Sequence, residues 1–480
     1  MPKNLALPGN PRYQPKQLVD FFGHDNLYQT LIEVEIANLE VLMEIRVAPR
    51  IDASLWEQIK EELFQIITTE VDKREHEVTK HDIRALVQLM QEVISKYNPG
   101  LAQWVHIPLT SYDVVDTGRS LQFMRAYKFA LQPSIMKVIS IMADLAESVV
   151  EQLQIGRSHG KHALPITMGF WIATILNRIT YNFIKMDSHA SELVGKISGA
   201  VGAYNAQKGL GLMAKTGDVT YKEAVLDKLG LKAAPISTQI LPPEPLAYFL
   251  FSCVMMSASF GQFGRDARHL MRSEIEEVVE QFEKDQVGSS TMAHKRNPIN
   301  FENLEGTWLK LKNEFGKVLD TLISEHQRDL VGSSVYRDFP TILVDLQQQM
   351  NTLLRKNASG QEFLSRITLN EEACQRNFAM SADYVLAEPL YIALVMAGYQ
   401  QDAHHVVNHV LVPYAKEHNV SLVDALISCS VDNYDLAEAM KNIPSEVLEL
   451  LQHPESYYGV APAKTREIVL AARDVVAMRS

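Results

Sequence analysis

The sequence predicts an all-α protein. Apolar residues recur at helical spacing, three stretches carry a helical pattern well beyond the usual length, and strand signals are scarce. Between residues 25 and 100, Ile32, Ile36, Leu39 and Met43 form one stripe, interleaved with Glu33, Glu35, Glu40 and Glu44. Pro49 and Asp52 interrupt it, and a second helix is expected over 56–71. The long stretches are 114–155, where Pro133 should kink the helix, then 168–197 and 245–283. Helices this long need long partners to bury their stripes, so bundle packing is the economical solution. The exposed remainder points to homo-oligomerisation. Residues 212–235 read as a surface excursion. Helix should resume after the 288–306 stretch and run to about 322. Past 365 the helices shorten, at 371–378, 382–396, 402–418, 422–428 and 435–441. Three domains are expected: an N-terminal helical domain over 1–112, a central long-helix bundle over 113–364 and a C-terminal helical domain over 365–480.

Composition narrows the function classes. Of 480 residues, 46% are hydrophobic and 22% charged, as in a globular protein with a large core. A formal net charge of −12 leaves no general electrostatic footprint for nucleic acid or an anionic membrane. An anionic substrate would therefore need basic residues concentrated locally. Three cysteines, Cys253, Cys374 and Cys429, argue against a disulfide framework. The N-terminus lacks a signal-peptide apolar core, and no run of about 18 apolar residues suggests a membrane span. A cytoplasmic location is expected.

The densest chemistry lies in 288–306, GSSTMAHKRNPINFENLEG. Gly288 permits backbone angles other residues avoid. Ser289 and Ser290 offer hydroxyls and N–H groups, and Lys295 is a fixed positive charge. Pro298 suits the first turn of a new helix, whose free N–H groups attract anions. The set suits a reaction that builds negative charge on a carboxylate-bearing substrate. Upstream, Thr79 could cap a helix beginning near Ile83, with Asp82 completing a weak capping box. Thr110 and Ser111 precede Asp113 at another helix start, which can cap the helix and cradle a carboxylate at once. His159 sits among small residues in a loop, a natural acid or base. His159 and His162 lack a third ligand nearby, as do His404, His405 and His409, so no metal site is expected. Arg328 and Arg337 flank a Gly-Ser-Ser turn, where planar guanidinium groups could converge on phosphate. The 199–205 glycine segment lacks the GK[ST] of a phosphate loop.

These segments, in order, resemble the motifs of the fumarase/aspartase superfamily, and within it the adenylosuccinate lyase branch. The 288–306 stretch resembles SSxMPxKxNxxxxE, with Ala293 in place of the usual Pro. Residues 106–117 resemble HxxLTSxDVxDT, and 156–167 resemble GRTHGQHAxPTT, with Leu164 departing from the usual residue. Lys80, His81 and Asp82 match the RHD or KHD segment, and Ser237-Thr238-Gln239 matches TTQ or STQ, followed by an unusual Pro242-Pro243. Residues 327–337 resemble ERDxxxSSxxR, with Gln327 replacing the Glu.

The resemblance implies a three-domain all-α lyase fold built on a central long-helix bundle. It implies a homotetramer whose sites are shared between subunits. It also implies β-elimination of fumarate from a succinyl-purine nucleotide, with no cofactor or metal. By the same resemblance, Ser289 is the base and His159 the general acid. Lys295 and Asn297, with Thr110 and Ser111, would hold the succinyl carboxylates. Substrate contacts are implied for Arg12, Tyr13, Lys80, His81, Asp82, His106, Gln239, Ser290 and Asn303. Arg328, Ser333 and Arg337 would meet the phosphate. A serine hydroxyl is a weak base unless Lys295 and nearby N–H groups favour its alkoxide. Two alternatives stay open: a sister lyase acting on argininosuccinate, which the phosphate-directed arginines disfavour, or a non-catalytic protein on the same fold.

Overall fold

A computed structural model describes residues 7–8, 10, 13–217, 220–281, 291–292 and 294–479. Among these, the chain is overwhelmingly helical, with three two-stranded ribbons. It divides into two compact units. The first comprises Met1–Val138, Tyr181–Gln262 and Glu302–Arg355, and the second Ile139–Thr180, Phe263–Phe301 and Lys356–Ser480.

In the first unit, the stripe read from sequence is the buried face of the Gln29–Glu44 helix: Ile32 and Leu39 are fully buried. That helix packs with Ser111–Ala126 and with Tyr221–Leu229. The 212–235 stretch is thus no surface excursion. Thr220 and Glu223 form a capping box, and Tyr221, Val225 and Leu226 enter the main core. The sequence reading missed this because the helix is short and only its inner face is apolar. The expected 56–71 helix is two helices, Ala53–Leu63 and Thr68–Arg74.

Pro133 is accommodated by a π-helical turn, Tyr127–Leu131, directly ahead of the helix Gln132–Ser148. The wider turn absorbs the hydrogen bond that proline cannot make. The helix stops at Ser148, short of 155, because Leu153–Ser158 and Lys161–Thr167 pair as an antiparallel hairpin in the second unit. A bulge falls at Gly156, where any Cβ would lie 2.7 Å from the Leu164 carbonyl oxygen. The next helix, Met168–Ala190, ends early because the following residues pair as Val194–Gly195 with Lys232–Ala233. Glu244–Leu270 also ends before 283, and Val278–Val279 pairs with Thr368–Leu369.

The second unit has its own core, formed by Ile155 and the helices of the C-terminal region around Leu390, Leu394, Val407, Leu411 and Leu426. Beyond the expected short helices, it ends in a longer one, Ala461–Ala477.

The helices Ser111–Ser148 and Glu244–Leu270 contain 18-residue windows with mean hydropathy of 1.3 and 1.4, long and apolar enough to cross a membrane. Scattered polar residues interrupt both windows, so neither appears as an uninterrupted apolar run. Only 44% and 56% of those windows are buried within the chain.

The best-defined polar feature of the first unit's interior is the ion pair Lys196 Nζ–Asp113 Oδ1 at 2.5 Å, with both side chains almost wholly inaccessible. Removing one partner of such a pair leaves a bare buried charge. Lys196→Met should therefore cost about 3–5 kcal/mol in denaturant unfolding, and adding Asp113→Asn should recover part of that loss.

Candidate active site

The start of the Ser111–Ala126 helix is built around Asp113. Its carboxylate accepts from the N–H groups of Thr110 at 2.9 Å, Ser198 at 2.9 Å and Gly199 at 3.1 Å, besides Lys196. Thr117 Oγ1 in turn bonds both the Lys196 N–H and its carbonyl. The 196–199 segment therefore lies locked beside the helix start. Ser198 Oγ continues to Ser237 Oγ at 2.7 Å, two residues from Gln239. Gly202 keeps a positive φ where any Cβ would lie 2.0 Å from the Ser237 carbonyl oxygen. The 199–205 segment is thus part of the wall beside Thr110 and Ser111, not a phosphate loop. A helix N-terminus presents N–H donors and a partial positive charge to an anion.

His106 adopts a positive φ of 70°, and its ring sits against buried Glu35, Nδ1 to Oε1 at 2.6 Å. The Glu35 carboxylate also accepts the His106 N–H. Burial alone would lower the imidazole pKa, but the Glu35 bond and charge outweigh it, with help from Asp113, and the pKa is raised. Glu35 had appeared in the sequence only as a polar residue between apolar positions. Its role depends on a contact 71 residues distant.

Lys80 and His81 are exposed. Lys80, rather than Thr79, ends the preceding turn, with φ 56°, and its Nζ bonds the His76 carbonyl. His81 is the N-cap of Asp82–Ser95, accepting from the Arg84 N–H, while the Thr79 hydroxyl bonds the His81 carbonyl. The left-handed residue at 80 moves the helix start two positions beyond the expected cap. Asp82 and Arg337 both act electrostatically on the half-buried Tyr28, whose pKa burial raises first and Asp82 further. Tyr13 is 47% exposed, and Arg12 lies outside the described residues.

A second group gathers around Arg328. Its guanidinium carbon lies 3.3 Å from the Tyr112 ring centroid, and Nη1 donates to Gln239 Oε1 at 3.0 Å. The Tyr112 hydroxyl meets Ser333 Oγ at 3.3 Å. Gln239, Arg328 and Ser333, predicted from two separate segments, thus converge, with Tyr112 as the residue the sequence did not single out. Alternation along the HxxLTSxD segment held the only hint, a large aromatic between Ser111 and Asp113. Behind this group Arg119 stacks on Tyr336 at 4.5 Å and bonds buried Asp116 at 3.0 Å. Burial raises the Asp116 pKa against the pull of Arg119. Arg337 is exposed one residue beyond the short helix Ser333–Tyr336. Asn303, also exposed, accepts from Thr352 Oγ1 at 3.2 Å.

The second unit carries His159. It occupies the tip of the 153–167 hairpin at φ 55°, followed by Gly160 at φ 75°. Two positive-φ residues between paired strands form the turn type that suits hairpin twist. A histidine held there is strained, a state that clusters at functional sites. Residues 158–161 are all exposed, so the imidazole is presented outward. His162 instead points inward, with Nδ1 2.8 Å from Ser381 Oγ and a pKa lowered by burial and by Arg157. Lys295 is exposed, its N–H bonding the Met292 carbonyl, and Asn297 precedes the Ile299–Leu319 helix. Asn300, on the first turn of that helix, is pinned by buried Glu280 through Nδ2 at 2.9 Å. Ser289, Ser290 and Ala293 lie outside the described residues.

Among the described residues no group of three His, Cys, Asp or Glu side chains is placed to hold a metal. His405 and His409 do approach, with ring centroids 4.7 Å apart.

A family model described as Lyase matches residues 18–311. The chain is 30% identical to the adenylosuccinate lyase of Archaeoglobus fulgidus over 474 residues, spanning 98% of this chain and 100% of that one. It is 31% identical to the adenylosuccinate lyase of Pyrococcus horikoshii over 95% of both chains. The chain belongs to this lyase family. Identity to the Bacillus subtilis adenylosuccinate lyase is 31% over 81% of this chain and 84% of that protein. Among solved structures, the 3-carboxy-cis,cis-muconate lactonizing enzyme from Pseudomonas putida matches with a TM-score of 0.78 at 22% identity, over 96% of this chain and 98% of that one. A fumarate lyase from Mesorhizobium sp. BNC1 matches with a TM-score of 0.76 at 19% identity, over 96% and 99%. At such identities the likeness establishes the all-α lyase fold alone.

Within this lyase framework, the Glu35–His106 pair gives a pH prediction. Glu35→Gln removes the group that raises His106 and leaves burial in place, so NMR should find the imidazole titrating below its ordinary value of about 6.5. In the parent the folded-state value lies above the unfolded one. The stabilisation is therefore complete below about pH 6.5 and is lost as pH rises through the folded-state value. The stability gap between parent and Glu35→Gln should narrow across that window.

Proposed function

We propose that this protein is a C–N lyase that cleaves adenylosuccinate to AMP and fumarate, and the succinylated carboxamide ribotide of purine synthesis in the same way. The observation that carries this reading is 30% identity to an adenylosuccinate lyase over nearly the whole of both chains. The Arg328–Tyr112–Ser333–Gln239 cluster supports a phosphorylated substrate, since guanidinium is well suited to phosphate.

The chemistry follows from the groups. The proton to be removed lies on a carbon next to a carboxylate, and its loss places further charge on that carboxylate. Fixed donors must meet this charge as it develops. In this reading Ser289 takes the proton, and Lys295 and neighbouring N–H groups favour its alkoxide. Lys295, Asn297 and the Thr110–Ser111 helix start hold the succinyl carboxylates. His159 protonates the departing nitrogen, and its outward place on a hairpin tip suits delivery of a proton to a bound ligand. Arg12, Tyr13, Ser290, Lys80, His81, Asp82, His106, Asn303 and Arg337 complete the substrate contacts in this reading.

The working form in this reading is a cytoplasmic homotetramer with sites shared between subunits. Supporting it, Phe129, Tyr181, Tyr248, Phe251 and Met255 on the long helices stay exposed in the single chain, a burden that association would relieve.

An absorbance assay tests the reaction: adenylosuccinate should be consumed with equimolar fumarate released and argininosuccinate left intact. Fumarate from argininosuccinate alone would contradict the assignment. Ser289→Ala and His159→Ala should each cut turnover about 10²- to 10⁴-fold, leaving a small measurable residue, while retaining binding, and mixing the two under subunit exchange should restore partial activity. Tyr112→Ala removes a stacked cation–π contact worth about 1–2 kcal/mol, so KM for adenylosuccinate should rise about 5- to 30-fold with a smaller change in kcat.

A further inference from the structure

The group that holds His159 in place lies at the foot of its hairpin. Glu277 is fully buried, and three of its side-chain hydrogen bonds come from this foot. Oε1 accepts from Arg157 Nη2 at 2.6 Å and Asn377 Nδ2 at 2.8 Å. Oε2 accepts from Arg157 Nη1 at 2.9 Å and Gln154 Nε2 at 2.8 Å. The arginine contact is bidentate, the geometry that fixes direction as well as distance. Glu277 is itself fixed at the backbone, its N–H bonding the Leu270 carbonyl and its carbonyl accepting from the Asn370 N–H. Three separate stretches of the second unit therefore meet on one carboxylate.

Arg157 stands two residues before His159, and its strand partner is His162, held by Ser381. Between Arg157 and His162 the hairpin is exposed, and the tight turn leaves little slack. Releasing Arg157 from Glu277 would loosen the strand that leads into the turn, and with it the backbone that carries the imidazole. We propose that Glu277 is a positioning residue for the reaction, acting through Arg157 on the orientation of His159. The proposal rests on the reading of His159 as the general acid. It adds a residue that touches neither substrate nor reacting atoms.

The test is a mutant cycle with adenylosuccinate as substrate, using Glu277→Gln, His159→Ala and their combination in the full-length protein. Glutamine keeps the shape but turns one acceptor into a donor facing other donors. The proposal expects kcat to fall about 10- to 100-fold, the scale of a displacement of about 1 Å, with KM within about twofold. It further expects that loss to vanish in the His159→Ala background, because no acid is left to misplace. A normal kcat in Glu277→Gln overturns the proposal, as does an equal loss in both backgrounds. If Glu277→Gln does not fold, Arg157→Lys, which keeps the charge but loses the fork, carries the same comparison with a smaller loss. Normal turnover by His159→Ala alone would remove the acid assignment and this proposal with it. Multiplying losses would remove the proposal and leave the acid assignment standing.

Discussion

The first unit depends on one buried carboxylate. Asp113 draws an ammonium, the N–H groups of Ser198 and Gly199 and the N–H of Thr110 onto two oxygens. Taking these charges out of water carries a large desolvation cost, which only close and complete pairing offsets. The pairing is not chiefly a source of stability, since apolar replacements of such pairs are often as stable. It fixes which way the Ser111–Ala126 helix start faces and which backbone lies beside it. A helix start presented in this way can meet a carboxylate with no reorganisation at the moment of reaction.

The same device recurs with different partners. Glu35 holds His106, Glu277 holds the His159 hairpin and Glu280 holds Asn300 at the head of the Ile299–Leu319 helix. Each carboxylate is buried, and each has its partner on or next to a segment proposed to meet substrate. Two of the anchored segments also carry backbone strain: His106 and His159 take positive φ without being glycine.

Much of this was legible in the sequence. The helical stripe at Ile32 and Leu39 and the turn-rich stretches around 106–111 and 156–162 showed where helices and site segments lie. Local signals failed where pairing was distant. Nothing near Ser148 announces that the chain leaves helix for a hairpin, because the hairpin is set by the Gly156 bulge and the His159–Gly160 turn. Tyr221–Leu229 looked peripheral because its burial depends on a face 183 residues away in sequence, where the Tyr221 hydroxyl donates to Asn38. The anchoring glutamates were invisible for the same reason. In sequence they are ordinary acidic residues, and only tertiary contact separates Glu277 from its exposed neighbour Glu276. Tyr112 was passed over because its partner Arg328 is brought to it by the fold.

The most direct test is a crystal structure of the His159→Ala protein in its assembled form with adenylosuccinate bound. The account predicts a succinyl carboxylate against the Thr110 and Ser111 hydroxyls and the Ser111 N–H, and the phosphate within hydrogen-bonding distance of Arg328 and Ser333. A ligand bound with its phosphate at the Thr110–Ser111 helix start, or away from both groups, would contradict it.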